Sequence, residues 1–508
     1  MKKFKLYTLL VVLALGFTSC LDKYPEDYIP AADALKTVDD ANQAVIGIYS
    51  SFLNPALYSG HLTLMPDIQS DFVYGVKGNS NVYGDIWRWN ILPTDRNVEA
   101  VYAALYQVIG RCNFLLQHAD AIRQNTVIDK DLDRMDQYCG EAYFARALAY
   151  SELIKCFCKA YDSDEDAKNE LGVVLRSQYY SNEPLTRASL YDSYQFVIED
   201  LEKAAELLEM DEDYNPAIDG ALWGSPYFNE YTVYALHARV ALYMKRYEEA
   251  IKYSSKVIDS GFYRLSSTNK PVSNDMSEFQ YLWSADKGFE VIWQIGFTTT
   301  AYGGALGQVF FNFDYRSVKP DYVPADWVLR LYSRSDLRLP TYFKEYQTGY
   351  PHGLKYPLLQ KYWGNPEFFK NKLLHVSMPK VFRLAEQYLI RAEAYSQKAN
   401  PDFASAGKDL STLLSQRIQS FGGGISINKN NALKVIEEER VKELYMEGFR
   451  LMDLKRWHKG FKREPQPETL ENGNRMNISK DNVLFVWPIP RHEIESQGSN
   501  IQPNESNK

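Results

Sequence analysis

Residues Glu439 to Trp457 read ERVKELYMEGFRLMDLKRW, and the way this stretch folds decides how the rest of the chain is arranged. Val441, Leu444, Tyr445, Gly448 and Met452 recur at three- and four-residue steps, the period of a helix with one apolar face. The spacing predicts a single helix, begun at Asn430 or Asn431 and ended by Gly460 and Pro465. Opposite charges fall at helical spacing as Glu438 with Lys442, Arg440 with Glu443, Glu447 with Arg450 and Asp453 with Arg456, pairs worth about 0.2–0.5 kcal/mol each when exposed. Terms that small do not account for charge this dense. Arginines set among aromatics, with Gly448 open to the approach of another backbone, imply a partly buried ion-pair lattice that includes Glu439, Arg440, Glu443, Glu447, Arg450, Asp453 and Arg456. A second reading makes Glu443 and Glu447 the carboxylate pair of a glycoside hydrolase. Two carboxylates on one helical face do not flank a bond from opposite sides, and arginines beside them hold both ionised. The structural reading is therefore preferred, with no catalytic residue expected.

The whole chain bounds the answer. At 508 residues and 45% apolar it has ample material for a sizeable core, and its formal charge of −8 argues against a nucleic-acid partner. Aromatics reach 14%, with 38 Tyr and 9 Trp, and such rings serve both cores and sugar-facing surfaces. Lys2, Lys3 and Lys5 precede an apolar run from Leu6 to Phe17 and then Thr18, Ser19 and Cys20, the pattern of a leader peptide over residues 1–19. Cys20, followed by Asp22 and Lys23, reads as the acylated first residue of a lipoprotein, with residues 20–36 as its tether. Cys112, Cys139, Cys156 and Cys158 permit disulfides whose pairing is not readable. Neither the His nor the Cys residues have metal-site spacing, and no cofactor motif is present: Gly422 to Gly424 lacks the Lys-Ser/Thr of a phosphate cradle.

Helical periodicity starts near Thr37 and continues through 39–52 and 98–121. A short repeat recurs at Arg146-Ala-Leu-Ala-Tyr150, Arg239-Val-Ala-Leu-Tyr243 and Arg391-Ala-Glu-Ala-Tyr395. After the second copy, Lys245 to Ile258 follows the spacing of a tetratricopeptide helical hairpin, whose faces are buried by stacking on neighbours. The expected fold is mainly α, a tetratricopeptide-like scaffold over 37–508 with little β structure. Two segments rich in Gly, Pro and aromatics, about 54–95 and 266–380, interrupt it as loop-rich insertions, with a short strand within 289–297.

The spacing E-R-x-x-E-L-x-x-E-G-x-R-x-x-D-L-x-R-W resembles the C-terminal signature of the SusD/RagB family, and Glu439, Arg440, Glu443, Leu444, Glu447, Gly448, Arg450, Asp453, Leu454, Arg456 and Trp457 all match. Gly140-Glu141-Ala142, Pro184-Leu185-Thr186-Arg187-Ala188 and Trp487-Pro488-Ile489-Pro490 are similar to further stretches of that family, although its usual Gly-Tyr ending is absent. The resemblance implies a lipoprotein on the outer face of the outer membrane. Such a protein binds a nutrient, mostly a glycan, and delivers it to a SusC-like TonB-dependent transporter. A lipid-anchored glycoside hydrolase and a repeat scaffold that binds peptides or proteins are the alternatives.

The first candidate for a ligand site is Tyr83-Gly-Asp85-Ile-Trp87-Arg88-Trp89-Asn90. In an extended chain Trp87 and Trp89 project from one side about 7 Å apart and form a stacking platform, with Asp85, Arg88 and Asn90 reaching sugar hydroxyls. The alternative is that both tryptophans are packed inside. Tyr302, beside Gly303, and Tyr362-Trp363, beside Gly364, are further candidates because a ring next to Gly keeps an open face.

Overall fold

A computed structural model describes residues 34–180, 185–211, 213–312 and 317–508; Cys20, the leader, most of the tether and Pro184 lie outside the described residues. Helices dominate. Val38–Ser51 begins at a capping box in which the Thr37 and Asp40 side chains satisfy each other's backbone donors, and Asp95 caps the long helix Arg96–Gln124. The chain then runs through Asp129–Phe157, Leu190–Leu207, the hairpin Glu230–Tyr243 and Tyr247–Ile258, and a second hairpin, Leu384–Gln397 and Phe403–Ser415. Each packs on the next, so apolar faces that could not be buried alone are buried by stacking.

The repeated arginine explains how successive helices are locked. Arg146 grips Asp200 of Leu190–Leu207 at 2.7 and 2.8 Å, Arg239 grips Glu386 of Leu384–Gln397 at 2.7 and 2.7 Å, and Arg391 grips Asp409 of Phe403–Ser415 at 2.8 and 2.8 Å. All three are two-pronged guanidinium–carboxylate pairs between neighbouring helices, a planar fit that lysine cannot reproduce.

Among the described residues strands form six short two-stranded antiparallel ladders. Val73–Gly75 pairs with Tyr322–Pro324 and so ties the two insertions together, and Val291–Gln294 pairs with Lys380–Arg383 at the edge of the helical array. Around these ladders the insertions share a second hydrophobic cluster that includes Phe72, Trp87, Phe279, Trp283, Tyr342 and Tyr445. Cys112, Cys139, Cys156 and Cys158 are buried free thiols. No described helix is long and apolar enough to cross a membrane.

The stretch 439–457 departs from the single helix that its periodicity predicts. Helix Ala432–Glu443 stops, the chain turns through 444–449, and a new helix spans Arg450–Arg456. Asn431 precedes the first helix without a side-chain cap. Met446 and Gly448 hold φ of 59° and 86°, the left-handed region that breaks a helix, and at Gly448 a Cβ would meet the Leu62 carbonyl at 3.0 Å. The turn is fixed by Asp67, whose carboxylate accepts from the backbone N–H of Gly448 at 2.9 Å and of Arg450 at 2.8 Å.

Candidate functional site

Breaking the helix re-aims the charged residues. Of the four pairs expected along a continuous helix, only Asp453 with Arg456 forms a salt bridge. Glu438 lies near Lys434 at 3.9 Å, Arg440 pairs with Asp453, and Arg450 reaches Asp71 and Glu437. Arg456 adds Glu393, while Glu447 takes Lys361 and Arg383. Glu443 is 0% exposed and accepts from Arg338 at 3.0 Å, Arg383 at 2.9 Å and Arg417 at 3.0 Å twice. Glu290 bridges Arg383 and Arg417, and Asp336 and Glu439 hold Arg338.

Burial raises the Glu443 carboxyl, but the guanidiniums of Arg417, Arg383 and Arg338 outweigh it and hold the group well below the usual carboxylate range. A carboxylate whose lone pairs are all committed, with no exposed surface, can neither donate a proton nor attack a sugar. Glu443 and Glu447 are both members of this ion-pair lattice.

One short turn carries this lattice toward a surface cleft. Gln360–Tyr362 is a turn of 3-10 helix, and Lys361 in it is fully buried, donating to the Tyr445 carbonyl at 2.9 Å and to Glu447 at 2.5 Å. Burial lowers the Lys361 ammonium to about 8 despite Glu447. Tyr362 donates its hydroxyl to the Met446 carbonyl at 2.8 Å. The left-handed turn of the 439–457 stretch therefore grips 361 and 362 and leaves Gln360 and Trp363 on either side pointing elsewhere. Gly364 completes the arrangement: its φ is 113°, and a Cβ there would meet the His375 backbone at 2.9 Å.

Beside this turn lies an open cleft of about 230 Å³, lined by Trp363, Gln360, Thr341, Ser284, Gln280 and Asp275 among others, with Trp283 also in its wall. Trp363 is partly exposed, stacks on Tyr346 with ring centres 5.5 Å apart and planes at 12°, and meets Phe311 edge-on at 4.9 Å. Tyr346 donates to Gln360 Oε1. An indole held rigid by its neighbours, next to two amides, two hydroxyls and a carboxylate, has the composition of a site for a ligand with apolar C–H faces and many hydroxyls.

The remaining candidates fall elsewhere. Trp87 and Trp89 do not form a platform: Gly84–Trp87 is a helical turn, Trp89 has a φ of 57°, and the two rings are 1% and 8% exposed. Trp87 packs on Tyr322 with Arg463 over its ring, while Trp89 packs on Phe461 and Phe485 and donates to the Gln69 carbonyl at 2.7 Å. Alternation in the sequence reads the same for an extended edge and for a compact turn that buries both rings. Tyr83 is partly buried against His61, Arg88 lies over Trp87, and Asp85 and Asn90 are exposed with no open ring between them. Tyr362 is 4% exposed, anchored by its hydroxyl, and so is not a stacking surface. Tyr302 is 42% exposed on a loop that packs against Ser59 through Gly303 and Gly304, and does not line the cleft. The cleft's polar groups escaped the sequence reading because they come from separate segments of the second insertion; the ring beside Gly364 was the one local signal.

A larger cleft, about 470 Å³, lies between Lys159–Glu170 and the C-terminal tail. Phe485 in its wall is buried, and part of its charge is paired: Asp162 with Lys245 and His458, Glu170 and Glu505 with Lys159. Its one exposed ring, the His458 imidazole, is held by Asp162.

The sequence models of two related families match the chain: one described as starch-binding and associating with the outer membrane over residues 53–242, and the SusD family over residues 342–505. SusD-like protein P38 of Formosa agariphila is 23% identical over 98% of both chains, and SusD-like protein P2 of the same organism is 26% identical over 31% of this chain and 30% of its own. A solved SusD superfamily protein from Bacteroides thetaiotaomicron superposes with a TM-score of 0.77 at 24% identity, covering 92% of this chain and 99% of that one. The surface glycan-binding protein A of Bacteroides fluxus superposes at 0.67 with 19% identity, covering 93% and 100%. With matching models on both halves and a SusD-like relative along its full length, the chain is similar to the SusD/RagB family throughout, and it has the helical fold of the solved SusD superfamily proteins.

Proposed function

We propose that this protein is a non-catalytic receptor anchored by a lipid on Cys20 to the outer face of the outer membrane. It binds a glycan at the Trp363 cleft and hands it to a SusC-like TonB-dependent transporter. The carrying observation is the partly exposed Trp363 ring, stacked on Tyr346 and set among Asp275, Gln280, Ser284, Thr341 and Gln360. Stacking of a sugar on an aromatic ring supplies affinity, and the surrounding groups supply selectivity for hydroxyl pattern. The relatives support this reading, since one matching family is described as starch-binding and a structural neighbour as a glycan-binding surface protein. A lipid anchor keeps receptor and transporter together and raises their effective concentration without further contacts.

Affinity gel electrophoresis of the chain from Leu21 against a panel of plant and host polysaccharides tests the proposal, with reducing-end release assayed in the same samples. Retardation by at least one glycan, lost in Trp363→Ala, kept in Tyr302→Ala and unaccompanied by sugar release, is the expected result. Full retention by Trp363→Ala removes the cleft from consideration, and sugar release by the wild type removes the receptor.

A further inference from the structure

The cleft beside Trp363 carries a carboxylate, Asp275, and none of the described residues lining it is a lysine, an arginine or a histidine. We propose that the cleft selects a neutral glycan and rejects chains bearing uronic acids or sulfate esters, an inference that rests on the receptor reading and adds its ligand class.

The polar groups are preset. Gln280 Oε1 accepts from the Ser277 backbone N–H at 2.9 Å, and Gln360 Oε1 accepts from the Tyr346 hydroxyl, so each amide has its oxygen engaged and its NH₂ end left as donor. Thr341 donates its hydroxyl to the Leu337 carbonyl at 2.8 Å and keeps lone pairs to accept with. Asp275, exposed between Pro271–Ser273 and Met276–Ser277, is a pure acceptor. The cleft therefore asks its ligand both to donate, to Asp275 and Thr341, and to accept, from Gln280 and Gln360. A sugar hydroxyl does both. A carboxylate or sulfate only accepts; it would meet Asp275 charge against charge, with no cation in the lining to offset its lost hydration.

Three cations stand behind the Trp283 wall, and the exposed Lys344 lies 5.7 Å from the Tyr346 ring on which Trp363 stacks. Lys361, Lys380 and Arg383 lie over the Trp283 ring at 4.0, 5.3 and 5.2 Å, and they are committed to Glu447, to Asp286 and to Glu290, Glu443 and Glu447 respectively. The larger cleft does carry cations, Lys159, Lys455 and Lys480, although Asp162, Asp166, Glu170, Asp481 and Glu505 line it as well. The Trp363 cleft differs in having no cation in its lining. Its volume of about 230 Å³ lies below the roughly 300–1,000 Å³ of pockets that enclose a small ligand, so it grips one unit of a chain lying across it.

Matched panels decide the matter: xyloglucan, galactomannan and pullulan against polygalacturonate, alginate and chondroitin sulfate, with isothermal titration of any that bind in 50 and 500 mM NaCl. Expected are binding of at least one neutral chain, none of the acidic ones, and a change in Kd of less than about two-fold across that salt range, because no ion pair is screened. Asp275→Lys, on the exposed rim, is expected to gain retention by acidic chains. Wild-type binding of an acidic chain as tight as any neutral one, or a Kd that weakens more than about ten-fold with salt, overturns the inference while leaving a receptor. Absence of binding to every glycan overturns the receptor and the inference together.

Discussion

Replacing Glu443 by Gln changes no shape and removes one charge from a site with 0% exposure, which makes it a clean measure of what the lattice contributes. Five cations (Arg338, Arg383, Arg417, Lys361 and Lys442) face five carboxylates (Asp336, Glu290, Glu439, Glu443 and Glu447), so the wild-type lattice is balanced. The variant leaves a buried excess of one positive charge. Of the four N–H bonds that Glu443 accepts, two also become donor against donor, because one amide oxygen replaces two carboxylate oxygens. Breaking a buried pair on one side costs about 3–5 kcal/mol. Set against a total stability of roughly 5–15 kcal/mol, that is a loss readable in any urea titration followed by tryptophan fluorescence. Burial makes the loss insensitive to ionic strength, so the shift is the same in 50 and 500 mM NaCl. The exposed Lys370–Glu367 pair serves as the control, and Glu367→Gln changes stability by less than about 1 kcal/mol. The sign with pH follows from the lowered Glu443 value: its contribution is complete above the ordinary carboxylate range near 4.3 and disappears as pH falls through the lower folded value. Glu443→Gln therefore has a shallower acid limb. A variant within about 0.5 kcal/mol of wild type, or a loss that vanishes in high salt, refutes the structural role assigned to the lattice.

The repeat arginines give a graded series: Arg146→Met and Arg239→Met each cost about 3–5 kcal/mol in urea unfolding, whereas Arg391→Met costs less because its side chain is 12% exposed and water relieves the stranded Asp409. In the chain from Leu21, Ellman's reagent labels none of Cys112, Cys139, Cys156 and Cys158 while folded and all four in urea, burial having pushed the Cys139 thiol up to about 11 and Cys156 to about 12. Burial raises the Asp67 carboxyl to about 7 against its two amide donors, so between its ordinary value near 3.8 and pH 7 the folded state holds a proton that the unfolded state has lost. Asp67 therefore contributes a decline in stability of up to about 1.4 kcal/mol per unit as pH rises through that window, levelling above 7, and urea titrations of Asp67→Asn between pH 5 and 8 lack that share of the slope.

Much of the scaffold was legible because its signals are local. Helical periodicity placed Arg96–Gln124 and Tyr247–Ile258 to within a few residues, and the repeated Arg-x-x-x-Tyr marked the three positions where one helix grips the next. What failed was partner choice. Arg450 was expected to serve Glu447 across one turn, but an exposed helical pair is worth about 0.2–0.5 kcal/mol, and Asp71, far away in sequence, offers a buried two-pronged fit at 2.8 and 2.9 Å. The same long-range closure broke the predicted helix, since Asp67 satisfies the amides of Gly448 and Arg450 only if the chain turns between them. Trp87 and Trp89 failed for a related reason: burial depends on what arrives from elsewhere, here Tyr322, Phe461 and Phe485, and no window around residue 88 contains it.

The signature that identifies the family is thus physically unable to identify the ligand. Glu439, Arg440, Glu443, Glu447, Arg450, Asp453 and Arg456 are committed to partners within the protein, and none of them lines the Trp363 cleft. On the proposed receptor reading its influence on binding is indirect, through the turn at 444–449 that takes the Lys361 ammonium and the Tyr362 hydroxyl on backbone carbonyls. Backbone carbonyls are present whatever the side chains, so that grip is set by the turn and tolerates changes on the outer side of 360–363 and across the cleft at 275–284. Gln360, Trp363, Asp275 and Gln280 can then vary without disturbing the lattice, while Lys361 and Tyr362 cannot. Lys361→Met tests the division: it touches no ligand, yet it strands Glu447 beside Arg383 with one partner fewer and frees the turn that carries Trp363. Glycan affinity is expected to fall in protein that is still folded, and undiminished affinity would show that Trp363 is held without help from the lattice.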